Sequence, residues 1–425
     1  MGRAHMNRHP RERRLERPAL SRRAFLARSA GSALAVSALG SLLDACAGGG
    51  QASPSASGTG YPLARPSSPV SWPVTSGDVI GSGLEPEENA TLQLYTWEEY
   101  VYTKVVDAFA AKYHCKVEIT TFGTMNEALA KLGTGQVSFD VFWPTVDVVG
   151  KMVTAKLLRP LNHSYIGNID QVWPQFQNPF YDQDWHYTVP YTVYTTGIAY
   201  RKDHVSQNPS ALANPWSMFW NPAYKGYESI LDDYREGIGL GLLKNGVTNL
   251  NTTSQAQINQ AKNSLVELIA MDKIQVNDSY TAIPDDQVWV QQAWSGAIVS
   301  APSELPKGQS PGVIGYWFPP DGRGPVNNDT MAVLASGKNP VLAHLFLNYM
   351  LDYSNAMENF AWLGYQPPQR QITATGLVKD GFIPSNLASA TVLPSYFNAG
   401  YRELELSPSA DLAWNNAWQE FTAGT

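Results

Sequence analysis

Cysteine is scarce in this chain of 425 residues, which contains only Cys46 and Cys115. If Cys46 is modified, Cys115 has no partner, and a disulfide framework is excluded. Cys115 precedes a strand-like stretch, and we expect it to be a small buried apolar residue. About 380 residues follow the first 45, so a large hydrophobic core, divided over two domains, is expected to stabilise the protein instead.

Apolar runs long enough to span a membrane are also missing. Near the N-terminus, residues 29–43 form an apolar stretch of about 15 residues, where roughly 20 are needed. It follows Ser21-Arg22-Arg23-Ala24-Phe25-Leu26. These residues resemble a twin-arginine export signal, so residues 1–45 are expected to form a signal peptide that is removed.

The residues that close this leader are Leu43-Asp44-Ala45-Cys46. They resemble a bacterial lipobox, in which lipid is attached to the cysteine. The resemblance implies that Cys46 is lipidated and that the protein is anchored to a membrane outside the cytoplasm. The alternative is a plain signal peptide cut at a small residue.

Positive charge is low once the leader is set aside. Residues 1–45 contain nine arginines and three acidic residues, a net charge of +6. Since the whole chain has a net charge of −7, the remaining residues carry −13. An acidic exported protein is a poor partner for nucleic acid and a possible host for cations. Solvated surface carboxylates are the other source of such charge.

Catalytic and metal-binding motifs are absent from the sequence. It has no Gly-x-Ser-x-Gly, no Walker-type loop and no His-Glu-x-x-His, and its seven histidines are scattered. An exported glycosidase using Glu98 and Glu99 is an alternative, but the side chains of adjacent residues diverge. We therefore expect no enzyme, no cofactor and no metal site.

Two regions of different composition follow the leader. Residues 46–88 are rich in Gly, Ser, Pro and Thr, which predicts a disordered tether. Strand-like and helix-like segments then alternate, which favours an α/β fold with mostly parallel sheets and helices on both faces. The expected strands are 91–95, 116–122, 139–143, 297–300, 313–318 and 330–334, and the expected helices are 105–113, 126–132, 255–271, 285–294, 340–351, 354–362 and 410–421.

Acidic and aromatic residues follow the expected strands, at the sheet edge where such folds bind ligands. Thr96-Trp97-Glu98-Glu99-Tyr100 comes directly after the first strand, and its rings and carboxylates suit an organic cation. The start of an amphipathic helix is the alternative. Asp233 and Glu236 would share one face of a helix, unless they form a solvated capping turn. Asp329 is a third acid, next to a strand.

Taken in order, these stretches resemble the spermidine/putrescine-binding proteins of bacterial ABC importers, which have the type II periplasmic binding fold. The similarity runs from about Leu92 to the C-terminus. It rests on residues 95–100, 139–145, 187–191, 216–226, 232–236, 329–332 and 363–365.

The resemblance implies a two-lobed fold with a ligand cleft between the lobes. Lobe 1 would contain residues 89–198 and 329–374, and lobe 2 residues 199–328 and 375–425. The protein would be a monomeric, extracytoplasmic solute-binding lipoprotein that captures a polyamine and delivers it to the permease subunits of an ABC importer. The alternative is the same fold binding a sugar, a ferric ion or an amino-acid-like cation.

The resemblance also implies ligand-binding residues. Trp97 and Tyr100 would form walls for the methylene chain of the ligand, and Tyr365 would line the cleft. A buried ammonium group needs carboxylate partners. The carboxylates that would receive the ammonium groups are Glu99, Asp233, Glu236 and Asp329.

Several positions depart from the family pattern. Thr145, Asp147 and Asn327 stand where the family has a serine, a tyrosine and a tryptophan. A second family tryptophan is expected after the 297–300 strand, where this chain has Pro302-Ser303-Glu304. We therefore expect a cleft with less aromatic wall and more acid, for an amine that is shorter, more polar or more highly charged than spermidine.

Overall fold

The computed structural model describes residues 60–272, 274–276 and 280–424. Arg22, Arg23 and Cys46, and with them the expected export signal and lipid anchor, lie outside these residues. The strands in the described residues are β1 Thr91–Trp97, β2 Lys116–Phe122, β3 Val141–Phe142, β4 Thr188–Arg201, β5 Glu228–Ile230, β6 Gln275–Val276, β7 Val290–Trp294, β8 Ile314–Trp317 and β9 Val326–Val333.

The α-helices of the same residues begin and end where local chemistry favours it. Thr124 accepts a hydrogen bond from the backbone N–H of Glu127 at 3.2 Å and so caps a helix N-terminus. Gly364, with φ of 87°, ends another helix in a left-handed conformation. The helices are α1 Thr103–Tyr113, α2 Met125–Gly133, α3 Val149–Thr154, α4 Tyr234–Lys244, α5 Gln255–Asp272, α6 Ser295–Ser300, α7 Pro340–Leu351, α8 Tyr353–Leu363, α9 Ala374–Lys379, α10 Tyr396–Ala399 and α11 Pro408–Thr422.

The strands form one mixed sheet in the order β2-β1-β3-β9-β4-β7-β5-β6, with β8 also paired to β4. The pairs at both ends are parallel, whereas β4 and β9 run antiparallel to their neighbours. The 14-residue strand β4 joins the two halves, because residues 188–195 pair with β9 and residues 196–201 pair with β7 and β8. The carboxyl ends of β1 and β3 therefore lie next to the antiparallel centre.

Separate hydrophobic cores lie in the two halves of the sheet. One includes Phe109, Trp143 and Phe346, and another includes Leu265 and Trp414. This arrangement agrees with the expected two-lobed α/β fold. Among the described residues, no helix is both long and apolar enough to cross a membrane.

The expected helix 285–294 and the expected strand 297–300 are wrong. Residues 290–294 form β7, which pairs with both β4 and β5, and the short helix α6 follows it. Gln291 and Gln292 are 4% and 2% exposed. Polar glutamines favour a solvent-exposed helix when only the sequence is considered. In the folded protein the Gln292 side chain is buried and finds a hydrogen-bond partner there, because its Nε2 donates to the Glu236 carbonyl at 3.0 Å.

Residues 60–88 pack against the body, so the expectation of disorder is wrong for this part of the predicted tether. We call residues 60–88 the strap. Tyr61 and Trp72 are 6% and 4% exposed and belong to an apolar cluster with Phe142. A few large aromatic side chains thus bury enough surface to order a segment that is otherwise rich in small and polar residues. Cys115 is half-buried rather than buried.

Candidate functional site

The turn after β1 carries three of the predicted site residues. The half-buried Trp97 packs on Phe122 with ring centroids 4.6 Å apart, and its indole Nε1 is buried without a hydrogen-bond partner. Glu99 has φ of 50°, a left-handed conformation that non-glycine residues rarely adopt. The turn returns the chain to the interior, where Tyr100 is 5% exposed.

Tyr100 holds Asp329, which lies on β9. The Tyr100 hydroxyl donates to Asp329 Oδ2 at 2.5 Å and lies 2.6 Å from Thr192 Oγ1. Asp329 is 6% exposed, and its Oδ1 has no hydrogen-bond partner. Burial raises the pKa of Asp329 to about 7, although the hydrogen bond from Tyr100 opposes this shift. The ionised carboxylate therefore lacks a counter-charge.

Thr145 and Asn327 lie beside Asp329. Thr145 forms an isolated antiparallel bridge with Asp329, and it is half-buried. Asn327, two residues before Asp329 on the same strand, is 6% exposed. Its Oδ1 accepts a hydrogen bond from the backbone N–H of Glu403 at 3.0 Å, while its Nδ2 is buried without a partner.

Tyrosines form a wall next to this carboxylate. The ring of Tyr365 lies 5.4 Å from that of Tyr100 and 6.0 Å from that of Tyr194, measured between centroids. The hydroxyl groups of Tyr365 and Tyr280 are 3.5 Å apart. Burial raises the pKa of Tyr365 and of Tyr194 well above the ordinary value, so both stay neutral hydrogen-bond donors.

Two further acids lie at the N-terminus of α4, where the sequence left open a helix start or a solvated capping turn. Asp233 caps the helix, because its Oδ1 accepts from the backbone N–H of Arg235 at 2.8 Å and of Glu236 at 3.1 Å. Glu236 is 5% exposed, and its Oε1 accepts from Thr196 Oγ1 at 2.8 Å and from Trp294 Nε1 at 2.7 Å. Burial raises the pKa of Asp233.

Trp294 is a site residue that the sequence reasoning missed. It ends β7, directly before α6, and its indole contacts a predicted ligand carboxylate, Glu236. The sequence predicts a helix over 285–294, whereas Trp294 ends strand β7 and precedes residues 297–300, after which the family tryptophan is expected. The sequence pattern that could have indicated this position is Trp294-Ser295-Gly296 at the end of a strand.

Asp147 and Glu403 complete an acidic region around α4. The Asp147 Oδ2 lies 3.9 Å from Arg235 Nη1. The half-buried Glu403 has an Oε1 that is buried without a partner. Burial raises the pKa of Glu403 well above its usual range, the negative charges of Glu236, Asp233 and Asp147 raise it further, and Arg235 opposes them.

The predicted site residues fall into three groups in the structure. Tyr100, Thr145, Asn327, Asp329 and Tyr365 contact one another directly or through a single neighbour. A second group surrounds the start of α4 and consists of Asp147, Asp233 and Glu236, with the added Glu403. Trp97 and Glu99 stand at the end of β1, beside the first group.

Buried carboxylates and aromatic rings make this region suited to a positively charged organic ligand. Arg235 offsets part of this negative charge, and its guanidinium is held in place because Nη1 donates to the Leu404 carbonyl and Nη2 to the Leu250 carbonyl. Within the described residues, no group of three or more His, Cys, Asp or Glu side chains is placed to hold a metal ion.

Known proteins that this chain resembles are described as solute-binding proteins. The family model for bacterial extracellular solute-binding proteins matches residues 104–382. Spermidine/putrescine-binding periplasmic protein 1 of Haemophilus influenzae is 29% identical over 339 residues, which cover 78% of this chain and 84% of that protein. The spermidine/putrescine-binding periplasmic protein of Escherichia coli is 27% identical over 343 residues, 80% of this chain and 89% of that protein.

A solved structure with the same architecture is that of a putative spermidine/putrescine ABC transporter from Listeria monocytogenes. The two chains are 26% identical and superpose with a TM-score of 0.69. The match covers 78% of this chain and 98% of the Listeria protein. The α/β fold described above is thus shared along nearly the whole length of that protein.

Proposed function

The chain belongs to the family of bacterial extracellular solute-binding proteins, and from this membership we propose that it captures a di- or polyamine outside the cytoplasm and delivers it to the permease of an ABC importer. Membership in a family of solute-binding proteins confirms the expectation of a binding protein rather than an enzyme. The relatives named for spermidine and putrescine support the ligand class.

The observation that carries the proposal is the environment of Asp329. A buried carboxylate without a counter-charge is unfavourable, and the raised pKa of about 7 at Asp329 reflects this. The free Oδ1 can accept a hydrogen bond from a ligand ammonium group, which would also provide the missing positive charge. The Tyr100 hydroxyl holds the other oxygen in place.

The aromatic residues suit the rest of such a ligand. Tyr100, Tyr365 and Trp294 border the carboxylates, and Trp97 stands at the end of β1. Ring faces attract cations and pack against methylene groups, with about 0.5–2 kcal/mol per cation–π contact. We assign these residues to the walls of the cleft.

The acids around α4 would receive the second end of the ligand. Asp147, Asp233, Glu236 and Glu403 repel one another, and the nearby Arg235 is engaged with backbone carbonyls. A cation there relieves the repulsion. The ligand therefore carries at least two ammonium groups separated by an apolar chain, and Glu403 joins the predicted ligand residues.

Closure of two lobes around the ligand follows from this distribution. We propose that residues 89–198 with 329–374 form one lobe and residues 199–328 with 375–425 the other. A ligand held by carboxylates on both sides favours the closed form, because it binds that form better. Small-angle scattering should show a smaller radius of gyration on saturation with the ligand, and an unchanged radius would contradict closure.

Export and anchoring complete the proposal. Arg22 and Arg23 would direct export, and Cys46 would carry the lipid that holds the protein at the membrane surface. Cys46→Ser should release the exported protein into the medium, whereas replacement of both arginines by lysine should block export. Membrane retention of the Cys46→Ser protein would contradict the lipid anchor.

Calorimetry with putrescine, cadaverine, spermidine and spermine tests the ligand class. At least one amine should bind, and Asp329→Asn should weaken it by about 3 to 5 kcal/mol, because the substitution removes one partner of a buried ion pair. Asp107→Asn, on the exposed face of α1, is the matched control. The absence of heat and of thermal stabilisation with all four amines would reject the proposal.

A further inference from the structure

Residues 401–406 run between β9 and the start of α4, and we call them the connecting segment. The backbone groups of its even-numbered residues form hydrogen bonds toward the α4 side of this segment. Asn251 binds two of them, since its Nδ2 donates to the Arg402 carbonyl and its Oδ1 accepts from the Leu404 backbone N–H, both at 2.7 Å. Arg235 Nη1 donates to the Leu404 carbonyl at 3.0 Å.

The odd-numbered residues are bonded in the opposite direction. The backbone N–H of Glu403 donates to Asn327 Oδ1 on β9 at 3.0 Å, and the Tyr401 carbonyl accepts from the Val326 backbone N–H at 3.0 Å. This alternation of partners is that of an extended chain, in which successive residues face opposite sides. The position of Glu403 therefore depends on both of its flanking contacts.

The next odd-numbered residue, Glu405, is held by the strap. The Tyr61 hydroxyl donates to Glu405 Oε1 at 2.5 Å, and Arg65 Nη2 donates to the Glu405 carbonyl at 2.7 Å. Tyr61 and Glu405 are 6% and 4% exposed, so these bonds are shielded from water. They join residues that are 344 and 340 positions apart in the sequence.

The strap is itself fixed to the body. Trp72 Nε1 donates to the Tyr181 carbonyl at 2.8 Å, and the Val70 backbone N–H donates to the Phe180 carbonyl at 2.8 Å. The rings of Tyr61 and Trp72 make an edge contact with centroids 6.2 Å apart. A Cβ at Gly150 would come within 2.6 Å of Glu405 Oε2 and 3.1 Å of the Tyr61 ring, so α3 also packs tightly here.

We propose that Tyr61 and Arg65 of the strap are positioning residues for the ligand cleft, because they hold Glu405 and thereby fix Glu403 against Asp233 and Glu236. The inference rests on the proposed function, in which Glu403 receives part of the ligand's charge. The strap does not touch the ligand. It acts through two residues of the connecting segment.

Hydrogen exchange without ligand is the first test. Tyr61→Phe keeps the ring in its apolar cluster and removes the donor to Glu405. It should accelerate exchange of the Glu403 and Leu404 amides, by about twofold to tenfold for the loss of one buried hydrogen bond. Tyr187→Phe is the control, since its hydroxyl also bonds the strap, at the Pro73 carbonyl at 2.7 Å, but does not touch the connecting segment. Equal exchange in all three proteins would overturn the inference.

Affinity for putrescine and spermidine is the second test. Tyr61→Phe should weaken binding by about twofold to tenfold in the natural chain and have no effect in a Glu403→Gln background. Arg65→Met, which removes the donor to the Glu405 carbonyl and keeps an unbranched side chain, should behave in the same way. Equal weakening in both backgrounds would mean a general structural role and would overturn the inference. If no amine binds the natural chain, the proposed function fails, and the exchange experiment still decides whether the strap holds the segment.

Discussion

Asp329 combines burial, a fixed hydrogen bond and an unpartnered oxygen. Its raised pKa of about 7 means that the free protein holds a proton there at a pH where an exposed aspartate is ionised. An ammonium ligand bound there, as proposed, would pair with the ionised form and lower this pKa. Ligand binding would then be linked to proton release at this residue.

Amine binding should release protons near pH 7, and the affinity should increase from pH 6 to pH 8. Calorimetry in buffers of different ionisation enthalpy measures the number of protons released. Asp329→Asn should show less release than Asp107→Asn, in which Asp329 is intact. Proton uptake in the natural chain, or equal release in both variants, would contradict the role of Asp329.

Trp294 offers a second test at a single side chain. Trp294→Phe keeps an aromatic ring but removes the Nε1–H that donates to Glu236 Oε1. Binding should weaken by about 0.5–1.5 kcal/mol, the net contribution of one hydrogen bond. Trp220→Phe is the control, because its Nε1 donates to the Ser264 carbonyl, outside the cleft. Unchanged affinity in Trp294→Phe would show that this bond does not support the ligand site.

At the scale of elements, the junction between β7 and α6 contacts both groups of the candidate site, through Glu236 and through Tyr365. Trp294 ends the strand and contacts Glu236, while Gly296, the second residue of the helix, lies against Tyr365. A Cβ at Gly296 would come within 2.3 Å of the Tyr365 ring. The helix can approach this tyrosine only because residue 296 has no side chain.

Gly296→Ala should displace Tyr365, lower the free energy of unfolding by about 1 to 3 kcal/mol as an overpacked site does, and weaken amine binding. Gly239→Ala in α4 is the matched control, since its Cβ would meet only the Leu250 side chain at 3.7 Å. That variant should be stabilised by about 0.5 to 1 kcal/mol, as expected for alanine in a helix. Denaturation and calorimetry measure both effects, and equal behaviour of the two variants would refute the packing argument.

At the scale of the whole molecule, one continuous sheet joins two hydrophobic cores and leaves several carboxyl groups inside. Burial raises the pKa of Asp182 to about 6 and that of Asp329 and Glu405 to about 7. The folded state therefore binds more protons at these groups than the unfolded state between about pH 4 and pH 7. His344, with a pKa lowered to about 4, acts in the opposite direction.

The three carboxyl groups together bind more extra protons in the folded state than His344 loses. The free energy of unfolding of the ligand-free protein should therefore fall as the pH rises from 5 to 7.5. A bound amine should reduce this fall, because it stabilises ionised Asp329. Melting temperatures over this range, with and without the ligand, measure both effects. Asp329→Asn should show a weaker pH dependence than Asp107→Asn. A melting temperature that rises steadily with pH would contradict the assignment.

Local sequence patterns were enough to predict many elements. Residues 116–122 and 340–351 form β2 and α7 with the predicted bounds, because apolar period and flanking residues agree there. The helix start at Asp233 was also predictable, since its capping chemistry involves only neighbouring residues. The ordered motifs identified the family, which supplied the candidate ligand residues.

Only tertiary contacts decided β7 and the strap; for residues 403–405, where the family resemblance implies a polar ligand residue, they also decided which acid lies near Asp233 and Glu236. The glutamines of β7 are buried because strands on both sides and Glu236 satisfy them. The strap packs on the body through Tyr61 and Trp72, and Tyr61 bonds Glu405, more than 300 residues away in the sequence. No local pattern contains such information, because the energy of these contacts arises from burial and hydrogen bonds between residues that meet only in the folded chain.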